Sequence, residues 1–168
     1  RIWHDDPELR RVGVLDVVPA YTSIAIHFDP AGADIPGILE RVRELMQPRN
    51  EEAGGETTNA PTAGRAPVIL PVTYNGADLQ RVAELNGLNL QQVVTLHSGA
   101  TYTVGMIGFR PHFPYLIGMP EELATPRLGS PRKRVPAGSV GIAGPQTGVY
   151  PQDSPGGWNI IGTTDPEL

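Results

Sequence analysis

The strongest chemical signal in the sequence is a group of arginines in a proline-rich segment. Arg127, Arg132 and Arg134 lie close together, and Pro126 and Pro131 each precede one of them. Proline restricts the backbone, which lowers the entropic cost of holding a guanidinium in place. The planar guanidinium fork suits a carboxylate or a phosphate. A solvated basic loop is the ordinary interpretation of such a run, but the stiff backbone favours an anion site.

The distribution of charge supports the same interpretation. The whole chain has a net charge of −5, which argues against a general nucleic-acid binder. Between Asn86 and Gln152, however, the only acids are Glu121 and Glu122. The basic residues there are Arg110, Arg127, Arg132, Lys133 and Arg134. We therefore expect a locally positive field in the second half of the chain, able to attract a carboxylate or phosphate.

A glycine- and proline-rich block, Val135–Pro151, directly follows the arginines. Its alternation predicts a short strand from Ser139 to Ala143 with two unlike faces. One face carries Val140 and Ile142, and the other carries only Ser139, Gly141 and Ala143. A nearly bare face leaves room for a ligand to approach the backbone. We expect this face to border the functional site.

Two further candidates are ambiguous on the sequence alone. His97 ends a predicted helix, where a histidine ordinarily hydrogen-bonds the last carbonyls but can also act as a general acid or base, or as an anion partner. The segment Phe109–Gly118 is aromatic and proline-rich. It is either a loop that plugs the core or one wall of a pocket.

Several classes of function are excluded. The chain has no cysteine, and therefore no disulfide, thiolate metal site or cysteine nucleophile. Its four histidines share no metal-ligand spacing, and no phosphate-binding P-loop, dinucleotide fingerprint or nucleophile elbow occurs. A helix-turn-helix spacing after Asp78 lacks any Arg or Lys on its second helix. No membrane span or signal peptide is visible, and we expect a cytoplasmic protein.

The elements that must position these residues are mainly β, because 18 prolines and 20 glycines favour turns over long helices. Residues 1–47 contain two predicted strands, Val12–Val18 and Tyr21–Phe28, and a helix capped by Asp34. Two strands and a helix are too little for a stable unit. We therefore expect the truncated remainder of a small α+β domain.

A linker and a second domain follow. Residues 48–66 contain no large apolar residue, which predicts a flexible linker. In residues 67–168 we predict four strands: Val68–Tyr74, the apolar core strand Thr101–Phe109, Ser139–Ala143 and Trp158–Gly162. Two helices lie between the first two strands, over Asp78–Leu85 and from Asn89 to about His97. A long irregular segment, Arg110–Pro136, precedes the Ser139–Ala143 strand.

One family carries the same residues. The chain resembles the 5-oxoprolinase B-subunit family, also called allophanate hydrolase subunit 1 or Kip-type kinase inhibitor. The resemblance rests on Gly108-Phe109-x-Pro111-x-Phe113-Pro114-Tyr115-Leu116, Pro126-Arg127, Pro131-Arg132, Arg134 to Gly144, Gln146 to Pro151, and Pro155 to Trp158.

This resemblance implies a cyclophilin-like β-barrel in the C-terminal domain. It implies an ATP-dependent cleavage of 5-oxo-L-proline to L-glutamate, with Mg as the counter-ion of ATP. The partners would be a paralogous C subunit (allophanate hydrolase subunit 2) and a third subunit. Alternatives are an amide-acting protein of the urea carboxylase or allophanate type, and an inhibitor of a histidine kinase.

The resemblance also implies a set of site residues. The catalytic candidates are His97, Arg132, Arg134 and Gln146. The substrate- or nucleotide-binding candidates are Tyr102, Phe113, Tyr115, Arg127, Ser139, Gly141, Gly144 and Tyr150. Two departures concern substrate choice: family members often have glycine where His112 stands, and often an arginine near Gly162–Asp165.

Overall fold

The structure is a computed structural model that describes residues 6–20, 22–47 and 66–165. The chain divides into two compact units, residues 1–63 and 64–168. The linker predicted at 48–66 lies outside the described residues, apart from Ala66.

Unit 1 contains two helices and an antiparallel pair of strands. The elements are α1 (Pro7–Arg11), β1 (Val14–Pro19), β2 (Ile24–Phe28) and α2 (Ile35–Met46). The predicted cap of α2 is confirmed, since the Asp34 carboxylate accepts a hydrogen bond from the Gly37 N–H at 3.1 Å. The unpredicted α1 is capped by Asp6, which also pairs with Arg41 at 2.7 Å. A small core holds the unit together: Leu9, Val12, Val14, Val17 and Ile38.

Unit 2 begins with two short helices, α3 (Leu79–Leu85) and α4 (Leu90–Gly99). Both were predicted, and the Asn89 cap is confirmed by a reciprocal capping box with Gln92. The strands are β3 (Thr103–Ile107), β4 (Pro114–Ile117), β5 (Arg132–Val135), β6 (Ser139–Ala143), β7 (Gln146–Val149), β8 (Ser154–Gly156) and β9 (Asn159–Thr163).

Five of these strands form one antiparallel sheet, in the order β3-β4-β7-β6-β9. The remaining two, β5 and β8, pair with each other in a separate ribbon. Within residues 66–165 the sheet is therefore open, with β3 and β9 as its outer strands. The expected closed cyclophilin-like barrel is not confirmed. The described fold is a mixed α/β arrangement of sheets and helices.

Two predicted elements of unit 2 were wrong. Val68–Tyr74 is not a strand, because only Thr73 bridges to Thr163 while Val68 and Ile69 stay exposed. The segment Arg110–Pro136 is not irregular, because it holds β4, a 3-10 turn at Glu121–Leu123, and β5. Its prolines obscured the strands, although Pro114 stands at a strand's first position, where proline is tolerated.

The five-stranded sheet is packed on both faces. On its helix-side face, α3 and α4 pack over Val140, Ile142 and Ile161. On its aromatic face, Ala143 and Ile160 pack with the aromatic side chains Phe113, Tyr150 and Trp158. The alternation of β6 and β9 residues between these two cores follows from the period of two along a strand.

Candidate functional site

The face of β6 that was expected to be open is covered. All five residues from Ser139 to Ala143 are buried. Gly141 is paired with Gly148, and Trp158 lies over both. A Cβ atom at Gly141 would lie 3.2 Å from Trp158 Cβ, and one at Gly148 would lie 3.2 Å from Trp158 Cζ3. The bare face therefore accommodates an indole ring and does not present an open surface to a ligand.

The backbone of this segment is also engaged. Strand β6 pairs with β7 on one edge and with β9 on the other. Beyond it, the N–H of Gly144 donates to the Thr125 carbonyl at 2.7 Å, and Gly144 has a φ of 55° that favours glycine. Ser139, Gly141 and Gly144 thus have architectural positions here, and the expected approach of substrate to this backbone is not supported by the geometry.

Phe113 is the centre of the aromatic core. Its ring lies 5.0 Å from Tyr115, 5.1 Å from Tyr150, 5.4 Å from Trp158 and 5.6 Å from Phe109, mostly edge to face. Such geometry adds to the stabilisation from burial alone. Of the two interpretations of the Phe109–Gly118 segment, core plugging fits Phe113, which is buried, whereas Phe109 is exposed.

Several predicted site residues lie close enough to Tyr150 to influence the pKa of its hydroxyl. Burial raises the pKa of Tyr150, whereas the backbone of Trp158 and the positive charges of Arg127 and Arg132 act to lower it, and Tyr115 acts to raise it. Tyr150 itself is buried, whereas Arg127 is exposed and available to an anionic group at the margin of this core.

The three arginines differ in how they are engaged. Arg132 Nη2 donates to Asp78 Oδ1 at 2.7 Å, and Asp78 Oδ2 accepts from the Ile160 N–H at 2.7 Å. Asp78 is buried, and through these two contacts it links β5 to α3 and β9. Arg134 is exposed and pairs with Asp153 at 2.6 Å on the surface.

Arg127 is different, because its guanidinium makes no hydrogen bond or ion pair with any residue in the described ranges. Its backbone is nevertheless held on both sides. The Asn159 Nδ2 donates to the Pro126 carbonyl at 2.9 Å, and the Leu128 N–H donates to the Gly157 carbonyl at 2.8 Å. Because the backbone is fixed, only the freedom of the Arg127 side chain is lost when its guanidinium binds an anion.

His97 lies on the opposite, helix-side face in a closed hydrogen-bond chain. Its Nδ1 is 2.8 Å from Tyr74 Oη, and its Nε2 is 3.0 Å from Thr147 Oγ1. The Thr147 hydroxyl donates to the Gly141 carbonyl at 2.9 Å. Since this uses the only hydroxyl proton of Thr147, His97 Nε2 must be the donor to Thr147, and Nδ1 accepts from Tyr74.

The environment of His97 keeps it neutral. It is 5% exposed, and burial lowers its pKa from 6.5 to about 4. Tyr102 closes the group by donating its hydroxyl to the His97 carbonyl at 2.7 Å, and burial raises the pKa of Tyr102. A neutral, buried histidine with both nitrogens occupied fits a structural role better than proton transfer to a substrate.

The sheet therefore separates the predicted residues into two groups. His97 and Tyr102 lie on the helix-side face, and Gln146 lies on the other side of β7 from Thr147 because adjacent strand residues alternate. Gln146 is half-buried at the tight turn that joins β6 to β7. Phe113, Tyr115, Arg127, Arg132 and Tyr150 are brought together at the aromatic face, while Arg134 is paired further along β5.

Sequence reasoning missed the residues that hold this arrangement. Asp78 was predicted only to start a helix, and Asn159 was not singled out, although both are buried. Asn159 donates to two carbonyls, of Pro126 and Ile142, and its side-chain oxygen accepts from Arg81 at 3.1 Å. Asn159 is a polar residue inside a predicted apolar strand, and this was the sequence signal that its side chain hydrogen-bonds the backbone of distant residues.

Two further properties concern the described residues. They contain no group of three or more His, Asp or Glu side chains that could hold a metal ion. None of their helices is long and apolar enough to cross a membrane.

The chain belongs to the carboxyltransferase domain family, subdomain C and D, whose family model matches residues 2–168. Two solved structures share the fold. The protein TTHA0988 is 38% identical, with a TM-score of 0.70 over 94% of this chain and 29% of that one. PH0987 from Pyrococcus horikoshii is 37% identical, with a TM-score of 0.57 over 96% of this chain and 79% of that one.

Curated relatives carry one name, the B subunit of 5-oxoprolinase, which confirms the expected family. The Bacillus subtilis protein is 41% identical over 157 residues, covering 90% of this chain and 65% of the relative. The Escherichia coli O157:H7 protein is 57% identical over 104 residues, covering 60% of this chain and 48% of the relative. The Haemophilus influenzae protein is 52% identical over 104 residues. The chain thus spans about half to two thirds of the length of these relatives.

Proposed function

We propose that this chain is part of the B subunit of a cytoplasmic, ATP-dependent 5-oxoprolinase that cleaves 5-oxo-L-proline to L-glutamate. The observation that carries the proposal is the 57% identity over 104 residues to the B subunit of the Escherichia coli 5-oxoprolinase. The complex would include a paralogous C subunit and a third subunit. Residues 67–168 would carry the site contributed by this chain.

The chemistry requires positive charge beside a phosphate. A lactam carbonyl is unreactive towards water, and transfer of a phosphoryl group from ATP to its oxygen would activate it. Cationic side chains stabilise the charge on the phosphoryl oxygens during such a transfer. The metal ion that accompanies ATP would be held largely by the phosphates and by other subunits.

The geometry favours Arg127 as the phosphate-binding arginine of this chain. Its guanidinium has no partner within the described residues, whereas Arg132 already pairs with buried Asp78 and Arg134 with Asp153. Asn159 and Gly157 fix the backbone on either side of it. Tyr115, which is half-buried, would supply the adjacent apolar wall.

The test is turnover of the co-expressed three-subunit complex. We expect ATP-dependent glutamate release from 5-oxoproline, lowered roughly 100-fold by Arg127→Ala, since a single charge-stabilising donor has an effect of about that size. Arg127→Lys should recover part of the rate, because the charge remains but the fork is lost. Lys133→Ala removes the same charge from the same segment and should leave the rate unchanged.

Two outcomes would contradict the proposal at different levels. An intact wild-type complex that releases no glutamate would rule out the function. Full glutamate release by the Arg127→Ala complex would rule out the site while leaving the function in place.

A second candidate function has one observation in its favour. The family is described as a carboxyltransferase domain, which fits an amide-acting protein of the urea carboxylase or allophanate type. Replacing 5-oxoproline by urea and bicarbonate in the same assay separates the two, because only one substrate set should stimulate ATP hydrolysis. In the described residues, no feature favours the histidine kinase inhibitor.

A further inference from the structure

The side chain of Asn159 joins helix α3 to the segment that carries Arg127. This side chain is fully buried, and its Oδ1 accepts a hydrogen bond from Arg81 Nε at 3.1 Å. Its Nδ2 donates to the carbonyl of Pro126 at 2.9 Å, and Pro126 directly precedes Arg127. One planar amide therefore places an arginine of α3 close to the backbone of Arg127.

A second contact joins the same helix to the same segment. Asn86, the residue that ends α3, donates its side-chain Nδ2 to the Thr125 hydroxyl at 2.9 Å. The backbone of Thr125 is in turn paired with Gly144, through hydrogen bonds of 3.3 and 2.7 Å. Because α3 and this segment are joined at two points, Arg81 and Arg127 are neighbours in space although they lie far apart in the sequence. Both side chains are exposed.

The guanidinium of Arg81 is oriented by Asn159 but is not neutralised. Asp78, three residues before Arg81, pairs with Arg132 at 2.7 Å. Glu84, three residues after it, accepts from the side chain of a neighbouring glutamine at 2.8 Å. Within the described residues, no group accepts a hydrogen bond from the two Nη atoms of Arg81. Since the amide uses only Nε, these two nitrogens form a fork that can bind both oxygens of an anionic group.

The number of unpaired cations indicates the kind of ligand. The ion pair between Arg132 and Asp78 is internally balanced, whereas Arg81 and Arg127 make no ion pair within the described part of the chain. A single carboxylate, such as that of 5-oxoproline, needs only one guanidinium fork. Two neighbouring forks match a ligand that carries two adjacent anionic groups. A chain of phosphates has this property, and a single phosphate does not.

We propose that Arg81 and Arg127 together bind two neighbouring phosphates of a polyphosphate ligand. That this polyphosphate belongs to ATP rests on the proposed function. Once one arginine holds the first phosphate, the contact of the other arginine with the second phosphate is intramolecular. The pair therefore selects a chain of phosphates over a single phosphate. Nothing in the sequence pointed to Arg81, because an arginine on a helix surface is ordinarily solvated.

The test is the binding of inorganic tripolyphosphate and of orthophosphate to the purified full-length subunit, measured by isothermal titration calorimetry. We expect the wild type to bind tripolyphosphate at least about tenfold more tightly than orthophosphate. Arg81→Gln and Arg127→Gln should each weaken tripolyphosphate binding about tenfold, because each removes one charged hydrogen-bonding group. Orthophosphate binding should fall only about twofold, since either arginine can hold it. The matched control is Arg110→Gln, which removes an exposed arginine of the same unit and should bind as wild type.

Two results of the titration would overturn the inference. Equal affinities of the wild type for the two probes would mean that only one arginine binds. Equal losses in Arg81→Gln and Arg110→Gln would mean that Arg81 is a solvated surface charge. Loss of Arg81 also removes the donor to buried Asn159 Oδ1, so melting curves must show each variant folded at the assay temperature. Arg127→Gln removes no such contact and keeps the test decisive.

The three-subunit complex separates this inference from the proposed function. Arg81→Gln should raise the KM for ATP about tenfold and leave the KM for 5-oxoproline unchanged. If the complex releases glutamate and the KM for ATP does not change in this variant, the two-arginine site is wrong and the function stands. If the wild-type complex releases no glutamate while the preference for tripolyphosphate still depends on Arg81, the site stands and the proposed function fails.

Discussion

The two faces of one sheet treat their polar groups in opposite ways. On the helix-side face, Tyr74, His97 and Thr147 form a chain of hydrogen bonds that ends on the Gly141 carbonyl. On the aromatic face, Arg127 makes no ion pair within the described part of the chain, and its positive charge acts to lower the pKa of Tyr150. The first arrangement uses its donors and acceptors internally, and the second keeps one cation available.

This difference shows why residue type alone is a poor guide to function. Histidine is the side chain most often used in acid–base catalysis, yet here it is buried with both ring nitrogens engaged. The arginine is less reactive, but its fixed backbone and available guanidinium suit recognition of an anion. The two side chains, His97 and Arg127, differ in whether their polar atoms already have hydrogen-bond partners within the described residues.

Replacement of Phe113 should have the largest effect, and it tests whether the aromatic face is a packed core as well as the wall of a site. Phe113→Ala removes a buried ring that contacts four other aromatic rings. We expect it to lower the free energy of unfolding by about 3–5 kcal/mol, measured by urea denaturation. Phe109→Ala is the control, with a loss of about 1 kcal/mol or less because that ring is exposed. Equal losses would show that Phe113 is not the centre of the packing.

The next effect tests the helix-side face through pH. The pKa of His97 falls from 6.5 to about 4 on folding, so the unfolded chain binds a proton first as the pH drops. The contribution of neutral His97 to the free energy of unfolding is complete above about pH 6.5. Between that pH and about pH 4 the free energy of unfolding falls by up to about 3 kcal/mol. We expect unfolding measurements across this window to show the loss in wild type relative to His97→Gln. A constant difference between the two proteins would mean that His97 accepts a proton in the folded state.

The smallest effect concerns the strained loop beside the aromatic face. His112 has a φ of 64°, a conformation in which glycine has no steric cost. We expect His112→Gly to raise the free energy of unfolding by about 0.5–1 kcal/mol, detected as an increase in melting temperature. Gly129→Ala, at a position where an added Cβ would meet open space, is a control for backbone entropy alone. A lower melting temperature for His112→Gly would mean that the imidazole makes a compensating interaction.

Sequence reasoning predicted those elements whose signals are local. The Asp34 cap, the Asn89 cap and the β6 alternation each depend on neighbours in the chain, and each predicted element is present. The prediction for β3 was wrong about burial, because an apolar run is equally compatible with a core strand and with an exposed edge. Only its position at the end of the sheet order distinguishes them.

The site was predictable in composition and not in arrangement. Arg127 and Arg132 do lie with the aromatic residues of the family motifs on one face, but no local pattern indicated that Asp78 pairs with Arg132. That contact joins residues 54 positions apart, and such pairing is set by the tertiary fold. The same reason applies to the bare face of β6, which was expected to border a ligand. Trp158, which lies outside β6 in the sequence, covers that face.

The pairing of Gly141 with Gly148 under Trp158 has a consequence for how this protein can vary. A Cβ atom at Gly148 would lie 2.6 Å from the Pro114 carbonyl oxygen, and one at Gly141 would lie 3.2 Å from the Trp158 Cβ atom, so a substitution at either glycine forces its surroundings to move. A smaller side chain at position 158 would not remove either restriction, because a backbone oxygen sets the first and every residue except glycine keeps the Cβ atom that sets the second. Variation at position 158 is therefore not expected to release either glycine to larger residues.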